Sequence, residues 1–261
     1  MNSQTLPSLG KAIDKLIEVV KTANKMNNNS VQLIDYMGSD KLHSLSAWAS
    51  TFLELEIEMP AKIENRVDAI VDYILSNSKR MRSIEDLLRF LAENEHESPF
   101  RMSGFVFTMT TDIATHIQKL KHAVILEAEN GESARYKELK EGKFYLPADW
   151  LEYGDVGHYW YQRLKSNSEA LNQFYSDCLN DLIDAGMPKS RAKESARFFK
   201  MYNSQINTVN KFSFDGVMQF VKKRGTSHAQ KEIREIALQM VQAVKNIEGK
   251  PFEYSLKAFG Y

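Results

Sequence analysis

The sequence predicts an α+β fold dominated by helices, and two patterns carry that expectation. Apolar residues recur at three- and four-residue spacing over most of the chain, the period of one helix face, while only short stretches alternate as a half-buried strand does. A third observation sets the organisation. No internal repeat, low-complexity tract or Pro/Ser-rich linker divides the 261 residues, so we expect one domain, residues 31–261, after a helical extension at residues 1–30.

The elements follow in order. Ile13, Leu16, Ile17 and Val20 mark an amphipathic helix from Leu9 to Lys25 after Pro7, and residues 27–30 break it. Ile63, Val67, Ile70, Val71, Ile74 and Leu75 mark a second helix. Ser83-Ile84-Glu85-Asp86 has the form of an amino-terminal cap for a third, running through Glu93. Phe105, Phe107 and Met109 alternate with smaller or polar residues between Ser103 and Thr111, as in a half-buried strand, and Asp112 caps a helix through about His122.

Residues 123–150 read as a loop punctuated by Gly131, Gly142 and Pro147. A long helix from Val156 to Ala185 stops at Gly186 and Pro188. A helix over Lys189 to Met201, an extended piece over Ser204 to Val209, and helices over Phe214 to Lys222 and Ser227 to Lys245 complete the reading.

Composition narrows the function. The 34 basic and 34 acidic side chains cancel, so no net charge draws the chain to nucleic acid or anionic lipid, and any bound anion must meet a local cluster. The one cysteine, Cys178, excludes an internal disulfide framework and a multi-cysteine zinc site, and no metal site is expected. No apolar run reaches the roughly 20 residues of a membrane span, and the first residues lack a signal-peptide core, so we expect a cytoplasmic protein.

Several segments, taken in order, carry a resemblance that none carries alone. They are Val31 to Asp40, Leu87 to Phe100, Gln118 with Lys121-His122-Ala123, Asn130-Gly131 with Ser133-Ala134-Arg135-Tyr136, Asp184 to Pro188, Tyr202 through Thr208-Val209-Asn210, and Arg224 with Ser227-His228-Ala229-Gln230. Taken singly, Ser133-Ala134-Arg135-Tyr136 is a common surface tetrapeptide, and Lys193 lies in what is ordinarily a solvated helical face. As an ordered set they resemble the flavin-dependent thymidylate synthases over roughly residues 31 to 247, with two extra residues in the signature loop and Lys193 near a family arginine.

The resemblance implies a helix-rich domain with a small antiparallel sheet. It implies a nucleotide side made of Gln118, Lys121, Ser133, Arg135, Lys193 and Arg224, with Arg224 also the catalytic residue that holds and polarises the pyrimidine. It implies a flavin adenine dinucleotide side made of His122, Asn210, Gln219 and His228. Methylenetetrahydrofolate and NADPH would be co-substrates, a deoxypyrimidine monophosphate the substrate, and a homotetramer the assembly. The chain departs from the family pattern at Met102, Ala123 and Phe212, where the family has His, Arg and Arg.

Methylation of deoxyuridylate comes first among the implied reactions. The carboxylates Glu127, Glu129, Glu132 and Asp215 raise a second reading, because a carboxylate accepts from the exocyclic amine of cytosine and repels the uracil carbonyl. Deoxycytidylate methylation, or hydroxymethylation on the same fold, is therefore the alternative. A non-catalytic nucleotide-binding relative is the reading from another class.

Overall fold

The computed structural model describes residues 28–50, 58–77, 82–122, 125–133, 135–139 and 142–261. The helix expected from Leu9 to Lys25 lies outside the described residues. Along the chain run β1 (Ser30–Met37), α1 (Asp40–Trp48), α2 (Arg66–Asn77), α3 (Ile84–Glu93), β2 (Gly104–Asp112), α4 (Ile113–Leu120) and β3 (Ala128–Gly131). There follow α5 (Gly154–Asp184), α6 (Lys189–Ala196), β4 (Gln205–Ser213), α7 (Phe214–Arg224), α8 (Lys231–Lys245) and α9 (Glu253–Ala258). The four strands form one small antiparallel sheet in the order β1-β2-β4-β3. The α+β, helix-dominated expectation holds.

Capping explains several boundaries. Ser83 Oγ accepts from Asp86 N at 3.1 Å and opens α3, and Asp112 Oδ1 accepts from Thr115 N at 2.9 Å and opens α4. Gly186 ends α5 with φ of 91°, a left-handed value that a residue without Cβ adopts at no steric cost.

Some elements differ from expectation. Residues 123–150 are not all loop, since they hold β3 and the start of a 3-10 turn at Ala148–Tyr153. β2 is buried on both faces over most of its length rather than half-buried. The helix expected from Lys189 to Met201 ends at Ala196, with a 3-10 turn at Arg197–Phe199. The strand expected over Ser204 to Val209 runs four residues further, from Gln205 to Ser213, because Asn210 is paired inside the fold rather than solvated. α8 begins at Lys231, so Ser227-His228-Ala229 forms a turn, closed by Ala229 N donating to Thr226 O at 3.1 Å.

The chain divides into two units, interleaved in sequence. Among described residues, unit 1 comprises 28–30, Thr110–Ile117 and Gly131–Asn207, and unit 2 comprises Val31–Met109, Gln118–Asn130 and Thr208–Tyr261.

Unit 2 holds the main core. Phe100, Phe105, Phe107, Phe212, Phe214, Phe220 and Phe252 are all buried with the apolar stripe of α8, Ile233, Ile236, Ala237, Met240 and Val244. Phe214 stacks on Phe100 and Phe252, with centroids 5.9 and 5.8 Å apart. A buried polar chain ties α1 to α9. Ser103 Oγ lies 2.8 Å from His43 Nε2, and His43 Nδ1 lies 2.8 Å from Ser255 Oγ. Ser255 Oγ donates to Asp40 Oδ1 at 2.5 Å. Because Ser255 spends its proton on Asp40, it must accept from His43 Nδ1–H, which leaves Nε2 to accept from Ser103. Burial holds His43 at a pKa of about 3, a neutral ring. Gly38, at φ of 100°, passes so close to Ser103 that a Cβ there would lie 2.6 Å from the serine Cβ.

Unit 1 is built on α5, whose Tyr175 and Leu179 pack with Ala192 and Ala196 of α6. Cys178 lies partly buried beside this cluster, as an ordinary small apolar residue of a helix does. Gly157 meets the backbone of Trp150 so closely that a Cβ would sit 1.7 Å from the Trp150 oxygen, so only glycine fits the start of α5.

Candidate functional site

In unit 2 the turn after α4 meets the end of α7. Arg224 Nε donates to His122 Nε2 at 2.7 Å, joining two residues 102 positions apart. The His122 ring stands edge-on to Phe220, with centroids 5.5 Å apart. Burial first, then the charges of Arg224 and Lys223, hold His122 below the usual histidine range. A neutral ring whose Nε2 accepts from Arg224 carries its proton on Nδ1. Gln118 Nε2 donates to Gln230 Oε1, and Gln230 Nε2 donates to Glu232 Oε2 at 2.7 Å, so the end of α4 also reaches the start of α8. Lys121 and His228 are exposed. Ala123 lies outside the described residues.

The other two expected flavin residues point inward. Asn210 is fully buried on β4, where its Oδ1 accepts from Lys119 Nζ at 2.5 Å and its Nδ2 donates to Thr208 Oγ1 at 2.8 Å. Lys119, 1% exposed, also pairs with Glu129 on β3 at 2.5 Å. Burial pushes the Lys119 amine down and Glu129 opposes it. Gln219 Nε2 donates to Glu97 Oε2 at 3.0 Å and to Asp215 Oδ2 at 3.0 Å, and Arg101 bridges the same two carboxylates at 3.1 and 2.9 Å. Gln219 lines a cavity of about 340 Å³ floored by Leu91, Phe100, Met218 and Phe259.

In unit 1 the expected phosphate residues come together. Arg135 Nε lies 3.3 Å from Glu194 Oε1 of α6, and Lys193 Nζ, also of α6, donates to Tyr136 O at 3.1 Å. Ser133 Oγ accepts from Arg135 N at 3.3 Å. A serine hydroxyl, a guanidinium and an ammonium around one turn match the donor set of a phosphate dianion. Glu194 occupies the guanidinium that an incoming phosphate would take.

The carboxylates expected to read a cytosine amine are all engaged within the fold. Glu127 pairs with Lys211 at 3.0 Å, Glu129 with Lys119, and Asp215 with Arg101. Glu132 pairs with Lys137 at 2.8 Å and accepts from Asn207 N at 3.0 Å. Each of these carboxylates thus has a cation of this chain beside it. Two residues of consequence escaped the sequence reading, Lys119 and Lys200. The signal for Lys119 was its place one helical turn past Thr115 on the inner face of α4, where a lysine must find partners.

The model of a family described as thymidylate synthase complementing protein matches residues 32–248. A flavin-dependent thymidylate synthase of Pseudothermotoga lettingae is 29% identical over 234 residues, covering 87% of this chain and 89% of that protein. One of Thermosipho melanesiensis is 31% identical over 190 residues, covering 68% and 78%. In fold, the chain is similar to a UMP/dUMP methylase, PolB of Streptomyces cacaoi, in structures bound with 5-Br UMP and 5-Br dUMP. The TM-score is 0.63 for both, at 22% and 24% identity, over 89% of this chain and 93% and 94% of those chains. With the match running from within β1 through residues 118–136 and Arg224 to beyond the end of α8, the chain belongs to the flavin-dependent thymidylate synthase family.

Proposed function

We propose that this protein methylates carbon 5 of a pyrimidine deoxynucleoside monophosphate, with deoxyuridylate as substrate, methylenetetrahydrofolate as one-carbon donor, flavin adenine dinucleotide as cofactor and NADPH as reductant. The hydrogen bond from Arg224 to His122 supports this reading most, because it makes one unit of the expected nucleotide-side arginine and a flavin-side histidine. Family membership and the uridylate ligands of the PolB structures add to it.

The residues present accommodate a flavin in part. His122 and His228 would hold it, near the start of α8, whose first N–H groups lack a side-chain cap and favour a pyrophosphate. Asn210 and Gln219 would contribute only after giving up Lys119 and the Glu97–Asp215 pair. When bound, the flavin supplies the hydride that completes the methyl group.

The chain's own residues do the rest. Ser133, Arg135 and Lys193 hold the phosphate, with Glu194 released from Arg135 as it enters, and Gln118 and Lys121 face the sugar side. Arg224 donates to the pyrimidine carbonyl and stabilises the negative charge that builds on the ring as carbon 5 attacks the one-carbon unit. The neutral His122 fixes the Arg224 side chain by accepting from Nε, which leaves its terminal nitrogens for the base.

A homotetramer is part of this reading. Tyr153, Val156, Tyr159 and Trp160 are all more than half exposed along the start of α5, an aromatic stripe suited to a protein partner. We take residues 31–261 as the catalytic module and residues 1–30 as an extension to it. No described helix is long and apolar enough to cross a membrane, and a cytoplasmic location suits a nucleotide substrate.

The test is incubation of the purified protein with deoxyuridylate, uridylate or deoxycytidylate, each with methylenetetrahydrofolate, flavin and NADPH, followed by product mass. A methyl gain on deoxyuridylate, lost in Arg224→Ala by a factor of roughly 10² to 10³, is the expected result. A hydroxymethyl gain, or turnover of deoxycytidylate alone, overturns it. A protein that takes up no flavin yet binds a nucleotide is the non-catalytic relative, and one that binds none of the three overturns the nucleotide assignment itself.

A further inference from the structure

Lys200, just after the 3-10 turn that follows α6, holds its ammonium inside unit 1. Nζ donates to Asn172 Oδ1 at 2.5 Å and to Leu139 O at 3.4 Å, and lies 4.5 Å from the centre of the Tyr175 ring. Two further bonds close a clamp. Tyr175 Oη accepts from Leu139 N at 2.9 Å, and Asn172 Nδ2 donates to Gly142 O at 2.8 Å. Leu139 is therefore gripped through both its N–H and its carbonyl, by two side chains that touch one another.

Among the described residues, these contacts of Lys200 are neutral oxygens and a ring face. Burial lowers its amine to about 8. Beside it lies a cavity of about 50 Å³ lined also by Glu132, Lys137, Glu138 and Lys143. The acids there have other cations, Glu132 pairing with Lys137 and Glu138 with Lys189, each at 2.8 Å. A desolvated cation costs free energy that a methionine in the same space would not. What the cation contributes is geometry. Glu132 ties one end of the loop to Asn207 N, and Lys200 with its two partners ties the other end at Leu139 and Gly142. Ser133, Arg135 and Tyr136 are strung between those two anchors.

We propose that Lys200 is a positioning residue for nucleotide binding, fixing through Leu139 and Asn172 the loop that presents Ser133 and Arg135 to the phosphate. This rests on the proposed function above. Binding a phosphate to a preset turn spares the cost of ordering that turn at each encounter. The clamp therefore acts on affinity and leaves the chemical step alone.

The test is steady-state turnover of the flavin-loaded protein with deoxyuridylate varied, for wild type, Lys200→Met, Lys200→Arg, Tyr175→Phe and Arg135→Ala. Lys200→Met is expected to raise KM for deoxyuridylate roughly tenfold with kcat within about twofold, the signature of lost uniform binding. Lys200→Arg, which keeps a donor to Asn172 and Leu139, is expected to recover part of the loss. Tyr175→Phe removes one hydroxyl and keeps the ring, so it reads the same clamp should Lys200→Met not fold, with a smaller rise in KM. An unchanged KM in Lys200→Met, or in Tyr175→Phe where only that variant folds, overturns the proposal, as does a fall in kcat at constant KM. Arg135→Ala separates the two layers. If it raises KM while the clamp variants do not, the clamp alone fails, and if it leaves KM unchanged, the phosphate assignment fails and the clamp's role with it.

Discussion

The two units finish their own surfaces to different degrees. Unit 2 packs seven phenylalanines, two of them stacked on Phe214, against an amphipathic helix, and joins Asp40, His43, Lys119 and Asn210 into buried polar chains and pairs. Unit 1 buries Tyr175, Leu179, Ala192 and Ala196 in its apolar cluster, yet leaves Phe198 82% exposed, Tyr153 74% and Tyr202 71%. Each holds a lysine turned inward, Lys119 buried and Lys200 half-buried. Lys119 in unit 2 has a carboxylate partner, and Lys200 in unit 1 has neutral ones. Unit 2 thus has the features of a self-sufficient core, and unit 1 leaves more of its aromatic surface uncovered.

The sharpest way to break that comparison is to cut the same kind of side chain from each unit. Phe214→Ala removes the ring at the centre of the unit 2 stack and is expected to cost roughly 3–5 kcal/mol in denaturant unfolding. The matching Phe198→Ala is expected to stay within about 0.5 kcal/mol. Equal losses would mean that unit 1 has a core of the same kind.

The lysines come next. Lys119→Met removes the buried cation that pairs with Glu129 and is expected to cost about 3 kcal/mol, whereas Lys200→Met takes no cation from a carboxylate and is expected to cost under about 1 kcal/mol. The lysine pair also shows what was legible in the sequence. Both lie on stretches that read as helix, and the partners that hold them stand 10 to 91 residues away, beyond any local period.

Acid probes unit 2 through His43. Its folded pKa of about 3 lies below the unfolded value of about 6.5, so the unfolded chain binds the extra proton first. The stability this group contributes is complete above about pH 6.5 and is expected to fall by about 1.4 kcal/mol per unit as pH drops toward 3. Asp40, raised by burial, acts in the opposite sense over the lower part of that range, since its protonation favours the folded chain. His43→Gln is expected to flatten the slope of stability against pH between 6 and 5, and an unaltered slope would assign the acid sensitivity elsewhere.

The smallest folding effect is expected on α5. Trp160→Ser is expected to change unfolding by under about 0.5 kcal/mol while lowering the mass measured by light scattering, if the stripe is an assembly surface. An unchanged mass would leave the exposed aromatics without that role.

Elements with a period and a cap were readable, and α3 and α4 begin where Ser83 and Asp112 predict. Elements whose logic is tertiary were not. β3, Ala-Glu-Asn-Gly, has no apolar alternation and is fastened by Lys119. α1 has weak amphipathicity and is fastened by Asp40, whose carboxylate takes the N–H groups of Tyr254 and Ser255. The site divides in the same way. Its residue types were visible as a motif series, but the Arg224–His122 bond, and the inward turn of Asn210 and Gln219, depend on neighbours that no spacing rule reveals.

The bonds from Asp40 to Tyr254 and Ser255 reach across 214 and 215 positions, and Phe212, Phe214 and Phe220 of the main core also come from the last quarter of the sequence. During synthesis, the opening strand and helix of unit 2 must therefore wait, unpacked, until nearly the whole polypeptide has left the ribosome. At about 5–20 residues per second, that leaves β1, and β2 with its Phe105 and Phe107, without their late-made partners for on the order of ten seconds.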